Sequence, residues 1–166
     1  MSPATIHPAT ANDLPHLLAM IRELAEFEQL AHELEVTAES LRSALFGGRP
    51  VAGALLARVD GFPAGYAVYY PTFSTFVGRP GIFLDDIYVR PEFRKRGIGR
   101  ALLEAVAEIG LEIGARRCEW IALRWNEAAF RFYRSLGAKV MDEWALLRLN
   151  RREVKNLVSA KVKVAA

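Results

Sequence analysis

The chain predicts an α/β fold, a mixed β-sheet with helices on both faces, and three observations carry that expectation. Periodicity along the chain gives the element order β-α-α-β-β-β-α-β-α-β. A strand–loop–helix junction in the middle, LDDIYVRPEFRKRGIG over residues 84–99, passes from an apolar run into a glycine- and cation-rich loop. The composition of the 166 residues, 52% apolar and 25% charged, suits a globular domain with a sizeable core and excludes a disordered chain.

In order, Thr5-Ile6-His7 reads as a short strand, and residues 8–13 turn into a helix with an apolar stripe of Leu14, Leu17, Leu18, Ile21, Leu24 and Ala25. Thr37 is the expected N-cap of a short helix with Leu41 and Leu45, closed near Gly47-Gly48. Val51 to Val59 and Ala64 to Tyr70 are strands joined by the hairpin signal Asp60-Gly61. Pro71 to Gly81 reads as a loop before the motif strand, which ends at Arg90-Pro91 because proline has no N–H for a ladder. A helix over 98–113 follows, with Glu104, Glu108 and Glu112 on a solvated face. Glu119 to Leu123 is the next strand, Asn126 to Leu136 a helix, and Trp144 to Leu149 a last strand. Residues 1–150 read as one domain and 151–166 as a basic tail with a short helix.

The junction carries the chemistry. Arg94, Lys95, Arg96, Gly97, Ile98, Gly99 and Arg100 bring cations and glycines to a helix start. Glycine lets backbone approach a ligand closely, and a helix N-terminus offers unpaired N–H groups with a favourable dipole, so the pattern points to a pyrophosphate. It is not a P-loop, because Arg100 follows Gly99 where Lys-Ser/Thr belongs, and it lacks the third glycine of a dinucleotide fingerprint.

The R-x-x-G-x-G pattern after a strand ending in V-R-P resembles motif A of the GCN5-related acetyltransferases (GNAT). A second match lies in WNEAAFRFYRSLG, residues 125–137, similar to the other coenzyme A-contacting motif of that superfamily. The likeness covers about residues 5–149, and within the superfamily it extends to the spermidine/spermine (diamine) and thialysine acetyltransferases. The resemblance implies a GNAT fold in which the motif strand and the next strand splay apart around the pantetheine arm of acetyl-coenzyme A. It implies cofactor contacts from backbone at Ile87, Tyr88 and Val89, from the 94–100 loop, and from Asn126, Ala129 and Phe130. It further implies a homodimer and direct transfer to a small cationic amine in a ternary complex. The other readings are a protein or peptide N-acetyltransferase, with Phe73 to Gly81 as a peptide wall, and a coenzyme A-binding sensor without turnover.

An amine near pKa 10 is mostly protonated at neutral pH and needs a base. Asp85, beside Asp86, is the candidate, and adjacent acids in a regular strand point to opposite faces. Tyr133 is the candidate general acid for the departing thiolate. Phe27, Glu28, Asp85, Asp86, Asp142 and Trp144 are substrate-side candidates, with Glu143 beside them. Two positions depart from the family pattern on that side: Asp85 stands where the polyamine enzymes carry Glu, and Phe27 where they carry Tyr.

The remaining signals are mostly exclusions. Cys118 is the single cysteine, so no intrachain disulfide forms, and with no signal-peptide pattern the expectation is the cytoplasm. His7, His16 and His32 form no ligand cluster, so no metal is expected. No apolar run is long enough to cross a bilayer. Arg151, Arg152, Lys155, Lys161 and Lys163 against Glu153 give the tail +4 of a total +3. Without interleaved aromatics that tail does not mark a nucleic-acid site.

Overall fold

The computed structural model describes residues 2–159. The sheet consists of β1 (Thr5–Pro8), β2 (Gly53–Val59), β3 (Phe62–Ser74), β4 (Arg79–Val89) and β5 (Cys118–Trp120). Their spatial order is their sequence order, antiparallel throughout except for the parallel β4–β5 pair. The helices are α1 (Leu14–Phe27), α2 (Ala38–Phe46), α3 (Ile98–Glu112), α4 (Glu127–Ser135) and α5 (Arg151–Ser159). The chain divides between Leu123 and Arg124 into two compact units, the sheet with α1–α3 in the first and α4 and α5 in the second.

Local chemistry sets most boundaries. Thr37 caps α2 by accepting the Ser40 N–H, as its position predicts. Asp60 and Gly61 both take positive φ, 49° and 81°, the geometry that a two-residue hairpin requires. The helices α1, α3 and α4 all end in the same reciprocal pair of backbone bonds, closed by a left-handed residue: Gln29, Gly114 and Gly137.

The core lies on both faces of the sheet. Leu14, Leu17, Met20 and Leu24 of α1 pack with Leu41 and Leu45 of α2 against Ala54, Leu56, Tyr66, Val68 and Tyr88. Alternation sends Leu55, Ala57 and Ala67 to the other face, where α3 buries Ile98, Leu102 and Val106. Gly110 of α3 lies against Ile82, so closely that a Cβ there would stand 3.3 Å from Ile82 Cγ2. Two ion pairs bolt this unit together. Arg58 donates to the buried Asp13 at 2.7 Å, and Arg90 grips Glu23 of α1 with both Nε and Nη2 while donating to the Pro63 carbonyl.

Three expectations from the sequence need correction. Residues 71–81 are not a loop: β3 and β4 stay paired out to Ser74 and Arg79, leaving only 75–78 to turn. Pro71 is tolerated because its partner Ile82 sends its N–H the other way, to the Arg117 carbonyl, so no ladder bond is lost. The strand expected over 119–123 starts at Cys118 and stops at Trp120. The last strand, Trp144 to Leu149, does not form; Trp144, Leu146, Leu147 and Leu149 are all exposed. A strand needs a neighbouring edge for its N–H and C=O groups, and the second unit has no strand among its described residues. The expected tail helix is α5, while Lys161 and Lys163 lie outside the described residues.

Burial raises the pKa of Asp13, but bonds from the Thr10 N–H and hydroxyl and the Arg58 guanidinium outweigh it and hold the carboxyl at about 2. A depressed carboxyl contributes stability that is full above its unfolded value and is lost as pH falls through its folded one. Asp13→Asn is therefore expected to cost about 2 kcal/mol at neutral pH. In urea unfolding, the gap between the two proteins should shrink as pH falls from about 4 to about 2.

Candidate active site

Strand β4 carries a bulge at the acidic pair. Val68 pairs with Asp86 and Tyr69 with Leu84, so Asp85 is the extra residue with no partner across the ladder. The bulge interrupts the period of two, and the opposite-face expectation for the two acids fails with it. Each feels its surroundings differently. Asp85 is the more exposed, its carboxyl raised by partial desolvation. Asp86 is pushed up to about 6, first by burial and then by the charges of Asp85 and Glu28, against the hydrogen bond that it accepts from the Tyr66 hydroxyl at 3.1 Å. Glu28, just past the end of α1, is itself raised by burial. Glu28, Asp85 and Asp86 thus form one acidic group on the first unit.

Past the bulge, β4 runs beside an open edge. Strand β5 pairs only with Ile82, Phe83 and Leu84, and Asp85 to Val89 continue without it. The Arg90 N–H donates to the Ala64 carbonyl of the β3 side. Backbone groups alternate along a strand, so Ile87 and Val89 present theirs to the open edge and Tyr88 presents its own to β3. Two of the three backbone positions expected to meet the pantetheine arm therefore face the gap.

The loop after β4 has the backbone geometry that an anion site requires. Pro91–Phe93 form one 3-10 turn, then Lys95 and Gly97 take positive φ, 60° and 77°. Gly97 sits at the N-cap of α3, and no side chain caps the helix there. Its first-turn N–H groups, from Ile98 to Arg100, are left for an external acceptor. Arg96 supplies the decisive detail. Its Nη1 is buried and without a hydrogen-bond partner among the described residues, while Nη2 reaches the Ser2 carbonyl and the guanidinium stacks on Phe93. A buried guanidinium nitrogen without an acceptor is costly, and a phosphate oxygen would satisfy it. These residues fit a pyrophosphate.

Two other cations of the loop, Arg94 and Arg100, are already engaged. Arg94 Nε donates to the Val89 carbonyl at 2.8 Å, and its guanidinium lies 5.1 Å from the centroid of Phe27 and 5.7 Å from that of Tyr88. Those rings, with Glu23, Glu26 and Glu92, line an open cavity of about 520 Å³. Arg100 pairs with Glu104 one turn along α3.

In the second unit, Asn126 is the N-cap of α4, its amide oxygen accepting the Ala129 N–H at 3.1 Å. That bond occupies the Asn126 amide oxygen and the Ala129 N–H with each other. Phe130 carries the Arg134 guanidinium on its face, and Tyr133 stands beside Phe132 with ring centroids 5.2 Å apart. Asp142 is paired with Arg124 at 3.2 Å, and Trp144 is 73% exposed. Two site residues escaped the sequence reading. Tyr66 lies unremarked within the strand expected over Ala64 to Tyr70, and Arg90 reads as a strand stop; only the tertiary structure reveals that they bond Asp86 and Glu23.

Residues 17–138 match the model of the acetyltransferase (GNAT) family. The chain belongs to that family. It is 35% identical over 168 residues to thialysine N-epsilon-acetyltransferase of Mus musculus, covering 95% of this chain and 98% of that protein. It is 38% identical over 151 residues to the enzyme of the same name from Sus scrofa, covering 86% of this chain and 88% of that protein. Among solved structures, an integron cassette protein from V. cholerae superposes with a TM-score of 0.79 at 21% identity, over 96% of this chain and 100% of that one, a likeness of fold. The chain is thus an N-acetyltransferase with a five-stranded mixed sheet, and its family's acetyl donor is acetyl-coenzyme A. Among the described residues no His, Cys, Asp and Glu group is arranged to hold a metal, and no helix is long and apolar enough to cross a membrane.

Because Arg96 Nη1 has no partner among the described residues, Arg96→Ala should weaken acetyl-coenzyme A binding about 10- to 100-fold, the range for a charge-assisted hydrogen bond. The same variant should keep nearly the wild-type melting temperature. Calorimetric titration beside thermal unfolding tests both halves, and unchanged affinity would remove Arg96 from the phosphate site.

Proposed function

We propose that this N-acetyltransferase moves the acetyl group of acetyl-coenzyme A directly to a primary amine of a small cationic substrate, of the thialysine, lysine or polyamine kind. The observation that carries the reading is the acidic group Glu28, Asp85 and Asp86: burial first, and then the charges of Asp85 and Glu28, raise Asp86, with no cation among the causes acting on it. An alkylammonium relieves that repulsion, and thialysine is the substrate in the names of the mouse and pig relatives. A neutral acceptor would gain nothing from it.

The residues divide the work as follows. Asp85, more exposed, draws the ammonium in. Asp86, raised to about 6, accepts the proton that the amine must lose, directly or through a water. The sequence alone points to Asp85 for this role; the burial and higher pKa of Asp86 favour Asp86. The N–H groups of Ile87 and Val89 hold the pantetheine arm along the open edge and polarise the thioester carbonyl. Arg96, Gly97 and the first turn of α3 hold the pyrophosphate, and Asn126 and Phe130 add contacts from α4. Tyr133 protonates the departing thiolate, and Phe27 and Trp144 bound the substrate. Two copies form the working enzyme, with the exposed apolar side chains of 144–149 and of α5 (Val154, Leu157, Val158) as surface for that association. The single cysteine fits a cytoplasmic setting.

Thiol release from acetyl-coenzyme A across thialysine, lysine, spermidine, putrescine and a peptide tests the substrate class. Selective turnover of one small diamine or amino acid supports it, and turnover of the peptide alone would overturn it. Tyr133→Phe should lower kcat about 10-fold or more at nearly unchanged acetyl-coenzyme A affinity. Because the base must be ionised, kcat/KM for the amine should rise with pH through about 6. Asp86→Asn should abolish that limb.

A further inference from the structure

Tyr66 is fully buried, yet it carries a polar group that the core cannot satisfy. It stands directly across the ladder from Tyr88, while Asp86 stands across from Val68, so Tyr66 reaches Asp86 along the diagonal of the β3–β4 pair. Its hydroxyl donates to Asp86 Oδ2 at 3.1 Å. The ring cannot turn away, for it is packed among α1, α2 and the sheet, with the Tyr88 ring 6.4 Å distant and tilted by 50°. The groups acting on Asp86 are Asp85 on its own strand, Glu28 from the end of α1, and Tyr66 from β3. The two acids oppose its ionisation. Tyr66 alone of these favours it.

We infer that Tyr66 is a positioning residue for acetyl transfer: its fixed phenol holds the Asp86 carboxylate in one orientation and keeps it ionised in an acidic surround. The inference rests on Asp86 as the proton acceptor. The phenol remains a donor at every working pH, since burial, followed by the neighbouring Asp86 charge, raises Tyr66 well above 10. The carboxylate can thus receive an amine proton without Tyr66 giving up its own. The bulge at Asp85 makes the arrangement possible. Without it, Asp86 would share a face with Leu84 and Ile82, away from the Tyr66 hydroxyl.

The test is Tyr66→Phe in the full chain, which keeps the ring and removes only the donor. Steady-state kinetics across pH is read beside the carboxyl titration of Asp86 by carbon NMR. The acid limb of kcat/KM for the amine should move up by about half a unit to one unit, or about 3- to 10-fold less activity below the limb. The plateau at higher pH should fall as well, by about 2- to 5-fold from the lost orientation, with the KM for acetyl-coenzyme A unchanged. Placing 3-fluorotyrosine at position 66, a stronger donor of nearly the same shape, should move the limb the other way and covers the case in which the Phe variant folds poorly. A uniform loss of activity with limb and carboxyl titration unmoved would show a packing role only and overturn the inference. Asp86→Asn separates the two readings. Wild-type turnover in that variant removes Asp86 as the base and the Tyr66 role with it. Lost turnover in Asp86→Asn beside an unmoved limb in Tyr66→Phe overturns the Tyr66 role alone.

Discussion

Strand β4 has to bury Ile82 against α3 on one face of the sheet and Tyr88 against α1 and α2 on the other. These residues are an even number of positions apart, so a strand of strict period two would put both on the same face. One extra residue, Asp85, resolves the conflict. Everything at the candidate site depends on that insertion. It turns Asp86 toward Tyr66, places two acids within reach of each other's charge, and marks where β5 leaves the sheet. The local disruption of the ladder is the cost of a strand that serves both faces of the sheet.

Below the bulge, the remaining geometry is held by charge. Arg90 closes β4, and its grip on Glu23 and on the Pro63 carbonyl ties the strand end to α1 and to the start of β3. The glycine- and cation-rich loop begins one residue later, so it starts from an anchored strand end. Arg58 and Asp13 play the same part at the other end of α1, where a buried carboxylate is fully surrounded by donors. Such a pair stabilises because every partner is supplied, whereas removing one leaves a buried charge.

The candidate site itself combines two opposite electrostatic surrounds on one strand. Asp85 and Asp86, with Glu28 nearby, make the middle of β4 acidic. The loop that follows is cationic and glycine-rich, with one guanidinium nitrogen buried and unpaired among the described residues. Two neighbouring segments of chain thus carry opposite charge. Arg94 of that loop stacks on Phe27 and Tyr88 and bonds to the Val89 carbonyl.

What the sequence determined by itself was whatever is encoded within a few residues. The α1 stripe, the Thr37 cap, the Asp60-Gly61 turn, the Gly137 helix stop and the strand–loop–helix junction all follow from local periodicity and backbone preference. The two segments that resemble GNAT motifs are legible for the same reason, since each lies on one loop or one helix start. The tertiary structure decided the rest. Which apolar run becomes a strand depends on whether an edge is available: Pro71 to Ser74 found one and Trp144 to Leu149 did not. The role of Tyr66 depends on register, because a tyrosine in an alternating strand reads as core until its partner across the ladder is known. Hydrogen bonds between residues 20 positions apart are a property of strand pairing, and pairing is chosen by the whole fold at once.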